Sequence, residues 1–287
     1  MITLEIQHTT TYRFNEPVSL LPHRLMLRPR ESRDVRLLSS RISTAPDAVL
    51  SWASDVFGNA VTTATFSRKA STLVISSVAN LQLASVEWPI FDIAVSATSY
   101  PFLYSDHDWG DLGALATPQF ADAEGTLRHW AHMFVRGSKT DTLALLKDLS
   151  VGVSEAARYQ SREEEGTQTP LETLSRGWGS CRDLAVLFAE AARVLGFGAR
   201  IVSGYLYNPN QQSAGSGGAG STHAWAEIFV PGAGWITFDP TNRSLGGFNL
   251  VPIAVARDIR QIAPVSGSYI GSTDAFAGMS VEVLVTS

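Results

Sequence analysis

A single cysteine, Cys181, stands in the 287 residues, so no disulfide can form within the chain and its stability must come from packing and hydrogen bonding. Charge is also sparse, with 22 basic against 27 acidic side chains and a formal net charge of -5. That balance leaves no basic footprint and argues against nucleic acid as the main partner. No uncharged stretch of about 18 apolar residues occurs, so no helix that crosses or anchors in a membrane is expected. The opening residues Met1 to His8 alternate like a strand and lack the basic segment and apolar run of a signal peptide, which makes the cytoplasm the expected setting. With 45% hydrophobic residues, a soluble globular protein with a substantial core is expected, as one large domain or two ordinary ones. Nothing in the pattern sets an oligomeric state.

From residue 1 to about 105 the pattern is one of strands. Leu4, Ile6, Tyr12 and Phe14 alternate with polar neighbours, and apolar runs at 35–38, 49–53, 60–66, 72–78 and 81–86 are separated by turn residues at Pro17, Pro22, Pro29, Pro46, Asn59 and Asn80. Short strands at this spacing predict an antiparallel sandwich, with a hairpin turn at Asp55–Asn59. His8 and His23 are single histidines expected on the surface or in hydrogen-bonded structure. Residues 99–120, rich in Ser, Tyr, Pro, Asp and Gly, read as a linker. Helical spacing then predicts helices over 123–136 and 140–160, with Asp122 and Asp141 near their starts. His129 and His132 lie three apart on the first of these, but no third ligand accompanies them and no metal is expected.

Apolar side chains at 181, 184, 185, 188, 191, 192 and 195 define one face of a helix that begins at Cys181 and ends before Gly196. Arg182, Asp183, Glu190 and Arg193 form its short polar stripe. A helix start presents unpaired backbone N–H groups and a partial positive charge, so a sulfur held there is favoured as thiolate. The same N–H groups can hold the oxyanion formed when that thiolate attacks a carbonyl. Gly177 and Gly179 would let backbone and substrate approach closely. Read alone, Cys181 could equally be a small core hydrophobe.

A thiolate nucleophile needs a base and a group that orients the base. His223 follows 42 residues after Cys181 (223 - 181), where a Gly/Ser loop at 208–221 meets a strand over 224–230. Asp239 ends the next strand, 235–238, and Pro240 forbids further pairing. The two strands predict an antiparallel hairpin with His223 and Asp239 as neighbours at one edge, where the carboxylate can fix the imidazole tautomer. A structural histidine and a turn-capping aspartate are the alternative readings of each residue by itself. Gly215–Gly220 fits the letters G-x-G-x-x-G, but a strand follows it and no ribose-binding acid is placed, so no dinucleotide is expected. Ser180 is the other candidate nucleophile, in a context that is not G-x-S-x-G. Trp178, Gly179, Ser180 and Trp225 flank the candidate site and are expected to line it, although tryptophan is also a common core residue.

Gly179–Ala185, Thr222–Glu227 and Phe238–Asn242 resemble the three signature blocks of the bacterial transglutaminase-like superfamily, whose members include cysteine proteases. Tyr12–Val18, His23–Pro29 and Asp55–Asn59 are similar to the strand-rich N-terminal region of one bacterial branch, and segments around 256, 264 and 281–285 resemble its tail. The resemblance implies an α+β fold: an N-terminal β-sandwich over 1–105, then a papain-like core over 106–287 in which a nucleophile-bearing helix packs on an antiparallel sheet, with a tail strand that returns to either part. It implies Cys181 as nucleophile, His223 as general base and acid, and Asp239 as the orienting group of a catalytic triad. The insert before His223 departs from the family pattern.

The expected function is cysteine-dependent acyl transfer on peptide or glutamine-type amides through a thioester, most simply hydrolytic, with no cofactor. An amine in place of water would make the protein a transglutaminase, and a non-catalytic protein-binding module is the reading from a different class.

Overall fold

Alternating residues over the first eighty positions make long antiparallel strands. The computed structural model describes residues 1–162, 166–208 and 220–287. β1 (Ile2–Leu20) is continuous, and its buried side chains run Leu4, Ile6, His8 and Thr10 before the strand reaches Phe14. It is followed by β2 (His23–Leu25), β3 (Val35–Ala45), β4 (Ala48–Ser54), β5 (Ala60–Phe66) and β6 (Ala70–Leu83). β1, β6 and β3 form one antiparallel sheet, and β2, β5 and β4 belong to a second. Phe14, Leu20 and Ile75 from the first sheet and Leu25 and Ala64 from the second meet in one apolar cluster, the layered packing that alternation predicts.

Five α-helices follow among the described residues: α1 (Asp106–Leu112), α2 (Thr126–His132), α3 (Thr142–Ala156), α4 (Pro170–Arg176) and α5 (Cys181–Val194). The segment read as linker thus holds a helix, because the Ser105 hydroxyl accepts from the Asp108 N–H at 3.1 Å and starts a turn among polar residues. Asp141 caps α3 by accepting from the Ala144 N–H at 2.8 Å. α2 is shorter than its apolar spacing suggests, since Gly125 takes φ +71° just before it and Asp122 accepts from the Leu127 and Arg128 N–H groups.

After α5 the strands among the described residues are β7 (Gly198–Tyr207), β8 (Gly220–Val230), β9 (Gly234–Asp239), β10 (Ser244–Leu245), β11 (Leu250–Ala256), β12 (Val265–Ser266), β13 (Tyr269–Ile270) and β14 (Phe276–Thr286). β10, β9, β8, β7 and β11 form an antiparallel sheet in that order. α5 packs on it, with Phe188 and Phe238 rings 5.3 Å apart. Each fully buried Leu or Phe of this helix contributes about 1.5–3 kcal/mol. The tail strand β14 pairs along β1 from Glu5 to Phe14.

The N-terminal sheets and the helix-bearing part share apolar side chains: Leu4, Ile6, Leu81, Leu83 and Val285 belong to the same buried cluster as α5. Polar contacts lock the junction. The positive φ of the Asp55–Asn59 turn falls on Gly58 alone (+70°), while Asn59 is fully buried and bridges β11, donating to the Val255 carbonyl at 2.7 Å and accepting from its N–H at 2.9 Å. His8 is likewise buried, with Nε2 2.8 Å from the Thr10 hydroxyl and Nδ1 2.9 Å from the Tyr205 hydroxyl on β7.

Burial pushes His8 down to about 4. The folded protein therefore resists a proton that the unfolded chain accepts near 6.5, so the His8 contribution is intact above 6.5 and lost as pH falls from there through about 4, with a ceiling of roughly 3 kcal/mol. The urea midpoint should fall over that window in the wild type and fall less in His8→Gln. Equal acid sensitivity of the two proteins would show that His8 is not the titrating group.

Candidate active site

Local turns deliver Cys181 to its place. α4 starts with Thr169 and Glu172 capping each other and ends at Gly177, whose φ of +66° reverses the chain. Trp178 and Gly179 then pair in parallel with Arg158 and Tyr159 before α5 begins. A Cβ on Gly179 would stand 2.8 Å from the Asp183 Cβ, so only glycine fits there. Ser180 is the N-cap, and Cys181 is the first helical residue and half-buried.

The polar stripe of α5 is not a solvated face: Asp183, Glu190 and Arg193 are all buried. Asp183 Oδ2 accepts from the Ser180 N–H at 2.7 Å and the Ser180 hydroxyl at 2.8 Å; Oδ1 accepts from the Gln168 N–H at 2.7 Å and the Arg162 guanidinium at 3.1 Å. One carboxylate therefore ties the cap, the turn before α4 and Arg162 to the helix start. Farther along, Glu190 Oε1 accepts from the Phe120 N–H at 2.7 Å and Arg193 donates to the Ala199 and Arg257 carbonyls.

His223 and Asp239 meet on the hairpin of β8 and β9. The paired register ends at Ala226 opposite Phe238, so Asp239 continues opposite Trp225 and His223 lies on the diagonal, not directly across. The side chains close that gap, with His223 Nε2 to Asp239 Oδ2 at 2.8 Å. Nδ1 is the ring nitrogen left over, and Cys181 lies close enough to the imidazole to help raise its pKa. Burial works to lower the His223 pKa, but the hydrogen bonds and charges of Asp239 and Cys181 outweigh it and push the group up to about 10. Asp239 is fully buried; its Oδ1 accepts from the Thr241 N–H at 3.0 Å and the Asn242 N–H at 3.3 Å.

The flanking residues have distinct settings. Trp178 is half-buried with the Arg176 guanidinium 5.8 Å from its ring centre. Gly179 and Ser180 are buried, and the Ser180 hydroxyl is spent on Asp183. Trp225 is 1% exposed and stacks beside the His223 ring at 6.1 Å, so it touches the imidazole from within the core. The letters at 215–219 and most of the loop before His223 lie outside the described residues. Sequence reasoning missed Arg162, Gln168 and Asn242. Only Asn242 carries a signal, an amide three residues after Asp239 in a Pro-containing turn.

Residues 4–82 match the bacterial transglutaminase-like N-terminal region, and residues 128–240 match the transglutaminase-like superfamily. An uncharacterized protein of Mycobacterium tuberculosis is 27% identical over 294 residues, covering 97% of this chain and 91% of its own. One from Mycobacterium leprae is 24% identical over 293 residues, covering 99% of each. The crystal structure of a Cytophaga hutchinsonii protein, described as "a putative cysteine protease", has a TM-score of 0.76 at 20% identity, covering 99% of this chain and 91% of that one, a likeness of fold.

Removing Asp183 leaves the buried Ser180 and Gln168 N–H groups without this acceptor and takes the counter-charge away from Arg162. Breaking a buried pair in this way costs about 3–5 kcal/mol. Asp183→Ala should lose stability of that order in urea unfolding. A loss below about 1 kcal/mol, the worth of an exposed pair, would show that this network does not hold the helix start.

Proposed function

We propose, from the match of residues 128–240 to the transglutaminase-like superfamily, that the chain is a cysteine-dependent acyl-transfer enzyme acting on peptide or glutamine-type amides. The observation that carries this reading is that the His223 ring, hydrogen-bonded to Asp239, also lies close enough to Cys181 for that side chain to help raise its pKa, although the three are scattered in sequence. A protonated ring held between a carboxylate and a sulfur is the partner that a thiolate needs.

In the proposed reaction the Cys181 thiolate attacks the amide carbon, forming the C–S bond and moving the carbonyl electrons onto oxygen. The first-turn N–H groups of α5, which have no acceptor within the helix, are placed to meet that oxyanion. Its collapse breaks the C–N bond as imidazolium Nδ1 gives its proton to the departing nitrogen, leaving a thioester and neutral His223. The ring then takes a proton from water, whose oxygen attacks the thioester carbon. The C–S bond breaks, the thiolate returns and the carboxylic acid leaves. Asp239 holds the ring throughout. Water as the acceptor is supported by the description given to the Cytophaga protein.

Because Cys181 is the single cysteine, alkylation reads it directly. Folded protein should react with iodoacetamide at pH 6 faster than free cysteine, and His223→Ala should slow it; labelling no faster than free cysteine and indifferent to His223 would favour a non-catalytic module. In a screen of peptide and glutamine-amide donors with and without an added amine, Cys181→Ala should abolish turnover and Asp239→Asn should lower it about a hundredfold or more. His223 is the acid only while protonated, so turnover should fall as pH rises through about 10. Turnover that survives Cys181→Ala would remove the mechanism.

A further inference from the structure

Asp239 has no exposed surface, whereas Asn242, three residues on, is exposed. The Asn242 amide donates from Nδ2 to Asp239 Oδ2 at 2.7 Å, the same oxygen that meets His223, and Nδ2 stands 3.4 Å from His223 Nε2. Arg243 takes φ +52°, the one left-handed residue other than glycine among the described residues, and so the chain turns sharply just beyond this side chain.

We infer that Asn242 is a positioning residue for the proposed reaction: its amide N–H fixes the Asp239 carboxylate against His223 and stands between that buried pair and water. The inference rests on the acyl-transfer reading of the site.

The carboxylate needs this donor for a geometric reason. Oδ1 is held by the backbone N–H groups of Thr241 and Asn242, whereas Oδ2 meets two side chains, the His223 ring and the Asn242 amide. A donor on Oδ2 sets the plane of the carboxylate and therefore the direction from which it accepts from Nε2. It also occupies the approach a water molecule would take, which keeps the pairing in a low-dielectric setting. The titratable groups at this point are His223 from β8, Asp239 from β9 and Cys181 from the start of α5.

Asparagine and aspartate serve almost equally in turns, but only asparagine donates at neutral pH. Asn242→Asp therefore separates a donor from a turn former. Its new carboxylate would face Asp239 oxygen to oxygen, and two such groups share one proton on acidification. The probe is the rate of Cys181 alkylation by iodoacetamide, taken as the ratio of variant to wild type from pH 5 to 7.5, with urea midpoints measured alongside. Asn242→Asp should be about tenfold slower or more at pH 7.5, the loss expected for a hydrogen bond to a charged group, and should recover toward the wild type near pH 5, where the protonated carboxyl donates again. Asn242→Ala should be slowed less, because water can fill the space, and its ratio should not change with pH.

A ratio for Asn242→Asp that is constant with pH, near one or well below it, would overturn the inference and leave Asn242 a turn residue. If the wild type alkylates no faster than free cysteine and ignores His223→Ala, the catalytic reading falls and this inference with it. Alkylation that depends on His223 but is unchanged in Asn242→Asp removes the inference alone.

Discussion

Everything at the centre of this protein depends on a charge that water cannot reach. Asp183 is tolerable in the interior only because donors from Ser180, Gln168 and Arg162 surround it, and each of these belongs to a different stretch of chain. The carboxylate therefore acts as a fixed point: the turn before α4, the cap and the first turn of α5 can occupy one arrangement that satisfies it. Cys181 lies between the cap and that carboxylate in sequence, so its position is set by the same constraint. The negative charge two residues from the sulfur is offset by Arg162, which is itself only slightly exposed.

The opposite side of the site is held in a different way. His223 and Asp239 are carried by adjacent strands whose register places them diagonally, and a single hydrogen bond between side chains spans the difference. Trp225 supports the ring from the core, and the turn after Asp239 returns backbone N–H groups to the carboxylate. The helix side is thus fixed by buried charge and the sheet side by strand pairing. The apolar cluster under α5, shared with Leu4, Ile6 and Leu81, keeps the two sides from drifting apart.

Much of this was legible in the sequence. The start of α5 at Cys181 follows from its apolar spacing, and the hairpin from two short apolar runs around Pro231–Gly234, because both patterns are local and periodic. The resemblance around Gly179, Thr222 and Phe238 pointed to Cys181, His223 and Asp239, of which the last two are hydrogen-bonded. What the sequence could not reveal is partnership across distance. Glu190 and Arg193 look like surface charges on a helix until segment 119–120 and the strand at Ala199 close over them. His8 looks like any strand histidine until Tyr205 is brought against it from nearly two hundred residues away. The helix at Asp106–Leu112 was hidden because its formation rests on a serine cap in a polar, glycine-containing stretch, and polarity there reads as loop.

The pairing of β14 with β1 has a consequence for biosynthesis. Residues 276–286 leave the ribosome last among the elements described, yet they cover one side of the first strand made. Until then β1 can zip to β6 but leaves its other backbone edge open, an invitation to strand exchange that closes only when residues 276–286 have been made. The first strand is thus covered on its second edge by a strand that follows the Cys181 helix and the His223 hairpin in the chain.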